Sequence, residues 1–319
     1  MVPAPPGSGA RRAAYSEYRC VHLRSTFRRH PRARRRGPTA KVVMCTVIVG
    51  FDPGADTPLV IAALRDEMVS RPWDRPAHHW PDRPDLVGGR DRLAGGTWLA
   101  VDPVHVRASA LLNGWPWDGR MPWEGTYPAS RGELPLRALA QSGRNPGRDP
   151  LHGEDPTLYA PFHLLDADAH RVNLHSWDGR CLDTRPLPVG VSMVVNTGLD
   201  PDDPRAVRHT PGFARTRPDP ADLARARGIA EVWGEWPRLI TEAAGSAPRS
   251  AGPDESGDPT GLIARADLGG GRVWATGSVT LLALDRETVR YAFTDTPADP
   301  GAWRMVDPSP SPYSPPSPS

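Results

Sequence analysis

Apolar and polar positions alternate in short runs along most of the chain, and this two-residue period is typical of β-strands. The first two runs, 45–51 and 59–64, flank a segment rich in Asp, Pro and Gly, which predicts a β-hairpin. The pattern predicts further strands at 97–101, 104–112, 160–165, 171–177, 189–195, 272–276, 280–284 and 289–293.

Helical spacing is confined to two segments. Residues 134–141 follow Ser130 with Glu133 three positions later, which is the signature of a capping box. A longer helix is predicted from about 219–222 to 244, and Pro237 is expected to kink or split it. Many strands with few helices predict an α+β fold, a sandwich of antiparallel sheets covered by helices.

Composition separates the two ends of the chain from its body. Residues 1–43 hold eleven basic side chains and one acidic one, a net charge of +10, and show no apolar periodicity. Such a segment is expected to be disordered. It has three interpretations: translation from a start upstream of Met44, a removable pro-segment or targeting segment, or a functional basic arm. The Pro/Ser-rich residues 307–319 predict a disordered tail, which leaves 44–306 as the folded domain.

The body itself is acidic, with 28 basic and 36 acidic side chains. This balance argues against nucleic acid as a partner. The longest apolar stretch has about ten residues, against roughly 20 needed to span a bilayer, so no membrane span is expected. The three cysteines have neither metal-site nor disulfide-scaffold spacing and favour a reducing, cytoplasmic location. His78 and His79 are neighbours that would point to opposite faces of a strand, so neither a metal nor another cofactor is expected.

The strongest candidates for a catalytic role are Met44 and Cys45, which lie directly before the first strand. If synthesis began at Met44 and this methionine were removed, the thiol and the α-amine of Cys45 would share one carbon. An α-amine has a pKa of about 7.7–8.0 and can act as a base for the neighbouring thiol. This is the chemistry of N-terminal-nucleophile hydrolases. The alternative is that Cys45 is a small buried apolar residue.

The hairpin adds a second candidate beside the thiol. If its turn is centred near Ala55, Arg65 faces Cys45, with Cβ atoms about 4.5–5.5 Å apart. A guanidinium there would favour the thiolate and could orient a substrate. A register slip of one residue would bring Asp66 to the thiol instead. Arg65 and Asp66 could also be only an ion pair that closes the hairpin.

A set of motifs occurs in an order that resembles the transport and Golgi organisation protein 2 family, also called the NRDE family after its Asn-Arg-Asp-Glu motif. The resemblance runs from 44 to about 296. The motifs that carry it are Met44-Cys45, Leu64-Arg65-Asp66-Glu67, Ser70-Arg71-Pro72, Gly89-Arg90-Asp91, Gly95-Gly96-Thr97-Trp98-Leu99, Leu111-Leu112-Asn113, Ser130-Arg131-Gly132-Glu133-Leu134 and Val195-Asn196-Thr197-Gly198-Leu199.

The resemblance implies an N-terminal-nucleophile-like αββα fold and a cysteine acylase that cleaves small linear or cyclic amides or related acyl substrates. Cys45 would be nucleophile and base, and Arg65 and Asp66 would hold its amine and thiol. Asn113 and Asn196 would donate to the oxyanion, although a turn role is the alternative for both.

Family biology also includes Golgi organisation, secretion and haem or lipid handling. The resemblance therefore leaves open a non-enzymatic carrier or trafficking factor that binds an apolar ligand, such as haem or an acyl-lipid. Its cleft would be lined by clustered tryptophans, for which packing in the core is the alternative explanation. They are Trp73, Trp80, Trp98, Trp115, Trp117 and Trp123.

Two departures from the family pattern bear on catalysis. Leu64 stands where the family motif begins with Asn, and the segment Trp274-Ala275-Thr276-Gly277 lacks the arginine of the family's Tyr-Gly-Thr-Arg. Loss of catalysis or a changed specificity would be consistent with both. The sequence determines neither the substrate nor the oligomeric state.

Overall fold

The computed structural model describes residues 45–116, 126–144, 149–245, 258 and 260–309. The basic segment 1–43, Met44 and residues 310–319 lie outside the described residues, as do Trp117 and Trp123. The expectations for these positions stay predictions. Within the described ranges no helix combines the length and the apolar character needed to cross a membrane.

Two antiparallel sheets form the centre of the fold. The first has seven strands in the order β3-β4-β5-β6-β7-β8-β9, and we call it sheet A. The second, sheet B, has the order β11-β10-β1-β2-β13-β14-β15, with β12 added to β13. The strands are β1 Thr46–Phe51, β2 Leu59–Met68, β3 Trp73–Ala77, β4 Val87–Asp91, β5 Leu99–Asp102, β6 Arg107–Asn113, β7 Phe162–Ala167, β8 Val172–Trp177, β9 Leu182–Pro186, β10 Gly190–Val195, β11 Gly198–Leu199, β12 Arg265–Asp267, β13 Val273–Leu284, β14 Val289–Thr294 and β15 Arg304–Val306.

The sheets pack face to face, and helices cover their outer faces. Alternate residues of both sheets, such as Val47 and Leu112, meet in one central apolar core. Helix α1, Glu133–Arg144, packs on the outer face of sheet A. Helices α2 (Pro204–Arg215), α3 (Ile229–Trp233) and α4 (Trp236–Gly245) contribute to a separate core on the outer face of sheet B. The predicted α+β sandwich of helix-covered antiparallel sheets is therefore confirmed.

The first hairpin forms in the predicted register. Thr46 pairs with Leu64 and Phe51 pairs with Leu59, so the turn is centred at Ala55. The predicted strands at 272–276 and 280–284 are one continuous strand, β13. A bulge at Gly277 interrupts its pairing with β2, between the partners Thr276↔Asp66 and Ser278↔Arg65. A bulge lets a strand continue while it changes its local twist, which explains why the pattern resembled two strands.

The helices differ more from the prediction. Helix α1 is confirmed, but the longer predicted helix begins later than expected, and its expected break lies before Pro237 rather than at it. Residues 219–228 are not helical, and Gly234, at a φ of +52°, separates α3 from α4. Helix α2 was not predicted because Pro204 and Pro211 lie inside it, yet Asp203 caps its first turn.

Two further differences concern β3 and Cys181. Strand β3 is an edge strand of sheet A that contains Pro76, and proline is tolerated at such an edge although it weakens the sequence signal. Cys181 is disulfide-bonded, whereas Cys45 is free. The cytoplasmic location stays a prediction.

Candidate functional site

Four polar side chains form a row across one end of sheet B. Continuing the paired register of β1 by one residue places Cys45 between Asn196 on one side and Arg65 on the other, and Arg65 pairs with Ser278 of β13. Laterally paired residues share a face of a sheet, and neighbouring strands lie about 4.8 Å apart. Apolar residues of the same alternation pack into the central core, so the row faces sheet A.

The thiol of Cys45 contacts the strand that carries two of its predicted partners. Its Sγ lies 3.4 Å from both the backbone N and the backbone O of Asp66, so it accepts one hydrogen bond and donates another. Burial, followed by the charge of Asp66, raises the pKa of this thiol to about 12. In the intact chain, therefore, the sulfur is held as a neutral thiol and needs a base to react.

Arg65 lies at the same end of the inter-sheet space and is 6% exposed. Its guanidinium carbon is 4.5 Å from the ring centroid of Trp98 and 5.8 Å from that of Trp73, and Glu67 lies at 4.0 Å. Burial lowers the pKa of Arg65, while the charges of Glu67 and the Cys45 thiolate oppose this shift. The two rings hold a cation close to the position where a thiolate would form.

Asp66 points the other way, toward the helices that cover sheet B. Its Oδ1 accepts a 2.6 Å hydrogen bond from the hydroxyl of Thr276, whereas its buried Oδ2 has no partner among the described residues. Burial raises the pKa of this carboxyl to about 7, although Thr276 and the charge of Arg205 act against the shift. Arg205 of α2 also donates to Thr46 Oγ1 at 2.6 Å, so the helix braces the residue next to Cys45.

This raised pKa predicts a pH-dependent stability for the intact chain. Because the folded pKa of Asp66 is about 7 and its ordinary value is 3.8, the protonated carboxyl stabilises the fold at low pH, and this contribution is lost as pH rises through about 7. As pH rises from about 4 to about 7, the free energy of unfolding of the wild type, relative to that of Asp66→Asn, should fall by at least about 1 kcal/mol.

Urea unfolding at several pH values measures the difference between the two proteins. Asp74→Asn is the matched control, because Arg90 lowers the pKa of the surface carboxyl of Asp74. The free energy of unfolding of the wild type, relative to that of Asp74→Asn, should fall instead as pH decreases. A wild-type to Asp66→Asn difference that does not change with pH would contradict the assignment.

The two candidate amides occupy different places. The Asn196 carbonyl accepts a 3.0 Å hydrogen bond from Nε2 of His163 on sheet A, and its side-chain Oδ1 is buried without a partner among the described residues. Burial lowers the pKa of His163 to about 4, so this ring is neutral. Asn113 ends β6 opposite Phe162, and strand alternation places both on the face of sheet A that packs on α1. Because the row that contains Cys45 faces the opposite side of sheet A, this position does not support the predicted oxyanion role of Asn113.

The family departures have structural explanations. Leu64 is 2% exposed and lies in the apolar core beneath the helices, where an amide would need a buried partner. Gly277 occupies the bulge of β13, and an ideal Cβ there would lie 3.9 Å from the Arg65 guanidinium. A side chain at 277 would therefore begin in van der Waals contact with Arg65.

Sequence reasoning assigned no role to two residues at this site. The hydroxyl of Ser278 is buried and has no hydrogen-bond partner in the described part of the chain. The thiolate of Cys45 raises the pKa of Arg131, against the larger lowering by burial, which shows that this guanidinium also lies within electrostatic range of the sulfur. Arg131 is part of a motif that carries the family resemblance, but its spacing along the chain gives no indication that it lies near the thiol.

Comparison with known proteins places this geometry in a family. The model of the family described as Transport and Golgi organisation 2 matches residues 44–214, which is more than half of the chain. The chain belongs to this family. Its members' roles in transport and Golgi organisation are not thereby assigned to this protein.

The chain also resembles a protein of Streptomyces cremeus named 3-amino-2-hydroxy-4-methoxybenzoate diazotase. The two are 29% identical over 206 residues, which cover 52% of this chain and 36% of the diazotase. The chain thus matches about a third of that relative's length.

Among the described residues no group of three or more His, Cys, Asp or Glu side chains is placed to hold a metal ion.

Proposed function

We propose that Cys45 is the nucleophile of an amide or acyl hydrolase and that it becomes active when it is the first residue of the chain. The observation that supports this most directly is the row of Asn196, Cys45, Arg65 and Ser278 across four strands. Three buried polar atoms around it have no partner among the described residues: Asp66 Oδ2, Asn196 Oδ1 and Ser278 Oγ. Buried polar groups without partners are rare in proteins and are candidates for binding a ligand.

In the proposed reaction, the free α-amine of Cys45 takes the proton from its own Sγ, and the thiolate attacks the carbonyl carbon of the amide. The tetrahedral intermediate collapses when the α-ammonium returns that proton to the leaving amine, which gives a thioester. The amine then takes a proton from water, whose oxygen attacks the thioester carbon, and the proton passes to the departing sulfur. An acid is released and the thiol is restored.

The neighbouring side chains have defined tasks in this scheme. The unpartnered Oδ2 of Asp66 would accept a hydrogen bond from the α-ammonium, and this new positive charge would lower the pKa of Asp66 from about 7. Arg65 would stabilise the thiolate and the oxyanion, and the side chain of Asn196 would donate to the oxyanion. A positive α-ammonium beside the sulfur would also lower the pKa of the thiol.

The experiment places a site-specific protease site directly before Cys45 in the full chain, so that one sample is compared before and after cleavage. A β-lactone probe should acylate Cys45 only after cleavage, with peptide mass spectrometry to locate the adduct. Cys45→Ala, cleaved in the same way, should not be labelled at this position. If cleaved protein with Cys45 as its first residue, verified by intact mass, is not acylated there, the proposal is wrong.

A second part of the test concerns the choice of substrates. The name of the Streptomyces cremeus relative refers to a small aromatic acid that carries an amino group, so amides of aminobenzoic acids belong in the first substrate panel. Because the match covers 36% of that protein, its diazotisation activity is not carried over.

The carrier alternative stays a prediction. Trp80 is buried in the core beneath α1, whereas Trp73 and Trp98 are half-buried beside Arg65. Spectral titration of the full chain with haem tests this alternative, and saturable binding that survives Cys45→Ala would favour it over catalysis.

A further inference from the structure

Arg131 is a guanidinium within electrostatic range of the candidate nucleophile, and the mechanism above gives it no role. It lies directly before helix α1, and its Nη1 donates a 2.8 Å hydrogen bond to the carbonyl of Pro161. None of the described carboxylates comes within ion-pair distance of it. Its other guanidinium nitrogens donate to no described residue, and none of them is sealed from solvent. Arg131 therefore has free donors that a ligand can reach.

Two tethers fix this arginine at the site. On one side, Pro161 precedes β7, whose His163 holds the backbone of Asn196 in the row around Cys45. On the other side, the carbonyl of Gly132 accepts a 2.8 Å hydrogen bond from Thr97, the residue before Trp98, and Trp98 lies on Arg65. Both tethers connect Arg131 to the end of sheet A that contacts Asn196 and Arg65 of the row.

The surrounding charges distinguish Arg131 from its neighbours. Arg71 is ion-paired with Asp91 at 2.5 Å, and Arg65 is packed between rings close to Glu67. Arg131 forms no ion pair with a described carboxylate, and burial lowers its pKa, although the charges of Cys45, Tyr127 and Glu67 act against this shift. Because residues outside the basic segment 1–43 carry a net charge of −8, the overall charge of the body does not attract anions.

From this geometry we propose that the substrate of the Cys45 site carries an anionic group, such as a carboxylate, close to the bond that is cleaved, and that Arg131 binds it. The inference rests on the proposed function and adds the substrate class to it. A guanidinium binds a carboxylate through two parallel N–H···O bonds, which fixes both the position and the orientation of the substrate. Arg65 then remains available for the sulfur and the oxyanion.

Two alkylating reagents that differ only in charge test this inference. Iodoacetate and iodoacetamide are reacted with the full chain, and peptide mass spectrometry measures the rate of modification at Cys45. The rate with iodoacetate is divided by the rate with iodoacetamide, and this ratio is divided by the same ratio for the denatured chain, which cancels the intrinsic difference between the reagents. The normalised ratio should be roughly ten, which corresponds to the effect of one charge-assisted hydrogen bond.

The variants assign this preference to one residue. Arg131→Gln should lower the normalised ratio to near one, and Arg131→Lys should give an intermediate value because it keeps the charge without the planar donor pair. Arg137→Gln is the matched control, because Arg137 lies on helix α1, close to Arg131 in sequence, but is ion-paired with Glu154, and its ratio should equal that of the wild type. An unchanged ratio in folded Arg131→Gln would overturn the inference.

A second measurement applies if native Cys45 reacts with neither reagent or if Arg131→Gln does not fold. Acetate, compared with acetamide at equal ionic strength, should raise the melting temperature of the wild type, and it should do so less in Arg131→Lys. Equal melting temperatures in acetate and acetamide would also overturn the inference. The outcomes are separable from the proposed function, because acylation after cleavage tests Cys45 whereas the preference for anions tests Arg131.

Discussion

In the intact chain, Cys45 should react with iodoacetamide at near-neutral pH roughly 50-fold more slowly than an unhindered cysteine. The pKa of this thiol is raised from 9.0 to about 12, chiefly by burial. This shift reduces the thiolate population about 1000-fold, and the greater intrinsic nucleophilicity of the more basic thiolate recovers roughly 20-fold of the loss. The rate should therefore keep rising with pH well beyond the range in which ordinary cysteines reach a plateau.

Stopped-time alkylation with peptide mass spectrometry over a pH series measures this profile. The same chain in denaturant supplies the internal reference, because unfolding removes the burial and the charge of Asp66 at once. A native rate within about twofold of the denatured rate, or a plateau near the ordinary pKa of 9.0, would contradict the description of the thiol. Cleavage directly before Cys45 should shift the plateau to lower pH, because it introduces the α-ammonium.

Gly96→Ala should destabilise the protein by about 3 kcal/mol or more. An ideal Cβ at this buried position would lie 2.3 Å from the carbonyl carbon of Gly132 and 2.5 Å from its oxygen, and both are backbone atoms. The same carbonyl accepts the hydrogen bond from Thr97, so relief of the clash would break the tether that fixes Arg131. The cost is steric, because Gly96 does not have a positive φ.

Urea unfolding of the variant measures this loss. Gly54→Ala is the matched control, because an ideal Cβ there has only Asp52 Oδ1 near it, at 3.4 Å, and its stability should change by less than about 0.5 kcal/mol. If Gly96→Ala is as stable as Gly54→Ala, the described contact between the loop before α1 and sheet A is wrong. A folded Gly96→Ala protein should also lose part of its preference for iodoacetate.

The sequence predicted what depends on neighbours along the chain. The register of the first hairpin, with Arg65 opposite Cys45, followed from the turn residues between two alternating runs, because a short turn fixes which residues face each other. Helix α1 followed from its capping residues. The longer helix was predicted to begin too early and to break at Pro237, because apolar spacing alone does not show that Gly234 adopts a positive φ and separates two short helices.

The candidate site was only partly predictable. The residue pattern assigned Cys45, Arg65 and Asp66, and the resemblance added Asn113 and Asn196. Strand pairing places Asn196 directly beside Cys45, whereas strand alternation places Asn113 on the other face of sheet A. The roles of all five residues stay predictions until the cleaved protein is tested.

By itself, the sequence determined the class of fold, the hairpin that carries the thiol, and the acidic charge of the body, because each depends on composition or on residues close together in the chain. Only the tertiary structure decided that Asn196 and Ser278 join the row and that Arg131 lies within electrostatic range of Cys45. These neighbours come from strands and loops far apart in sequence, and their meeting depends on how the two sheets pair and stack, which no local pattern encodes.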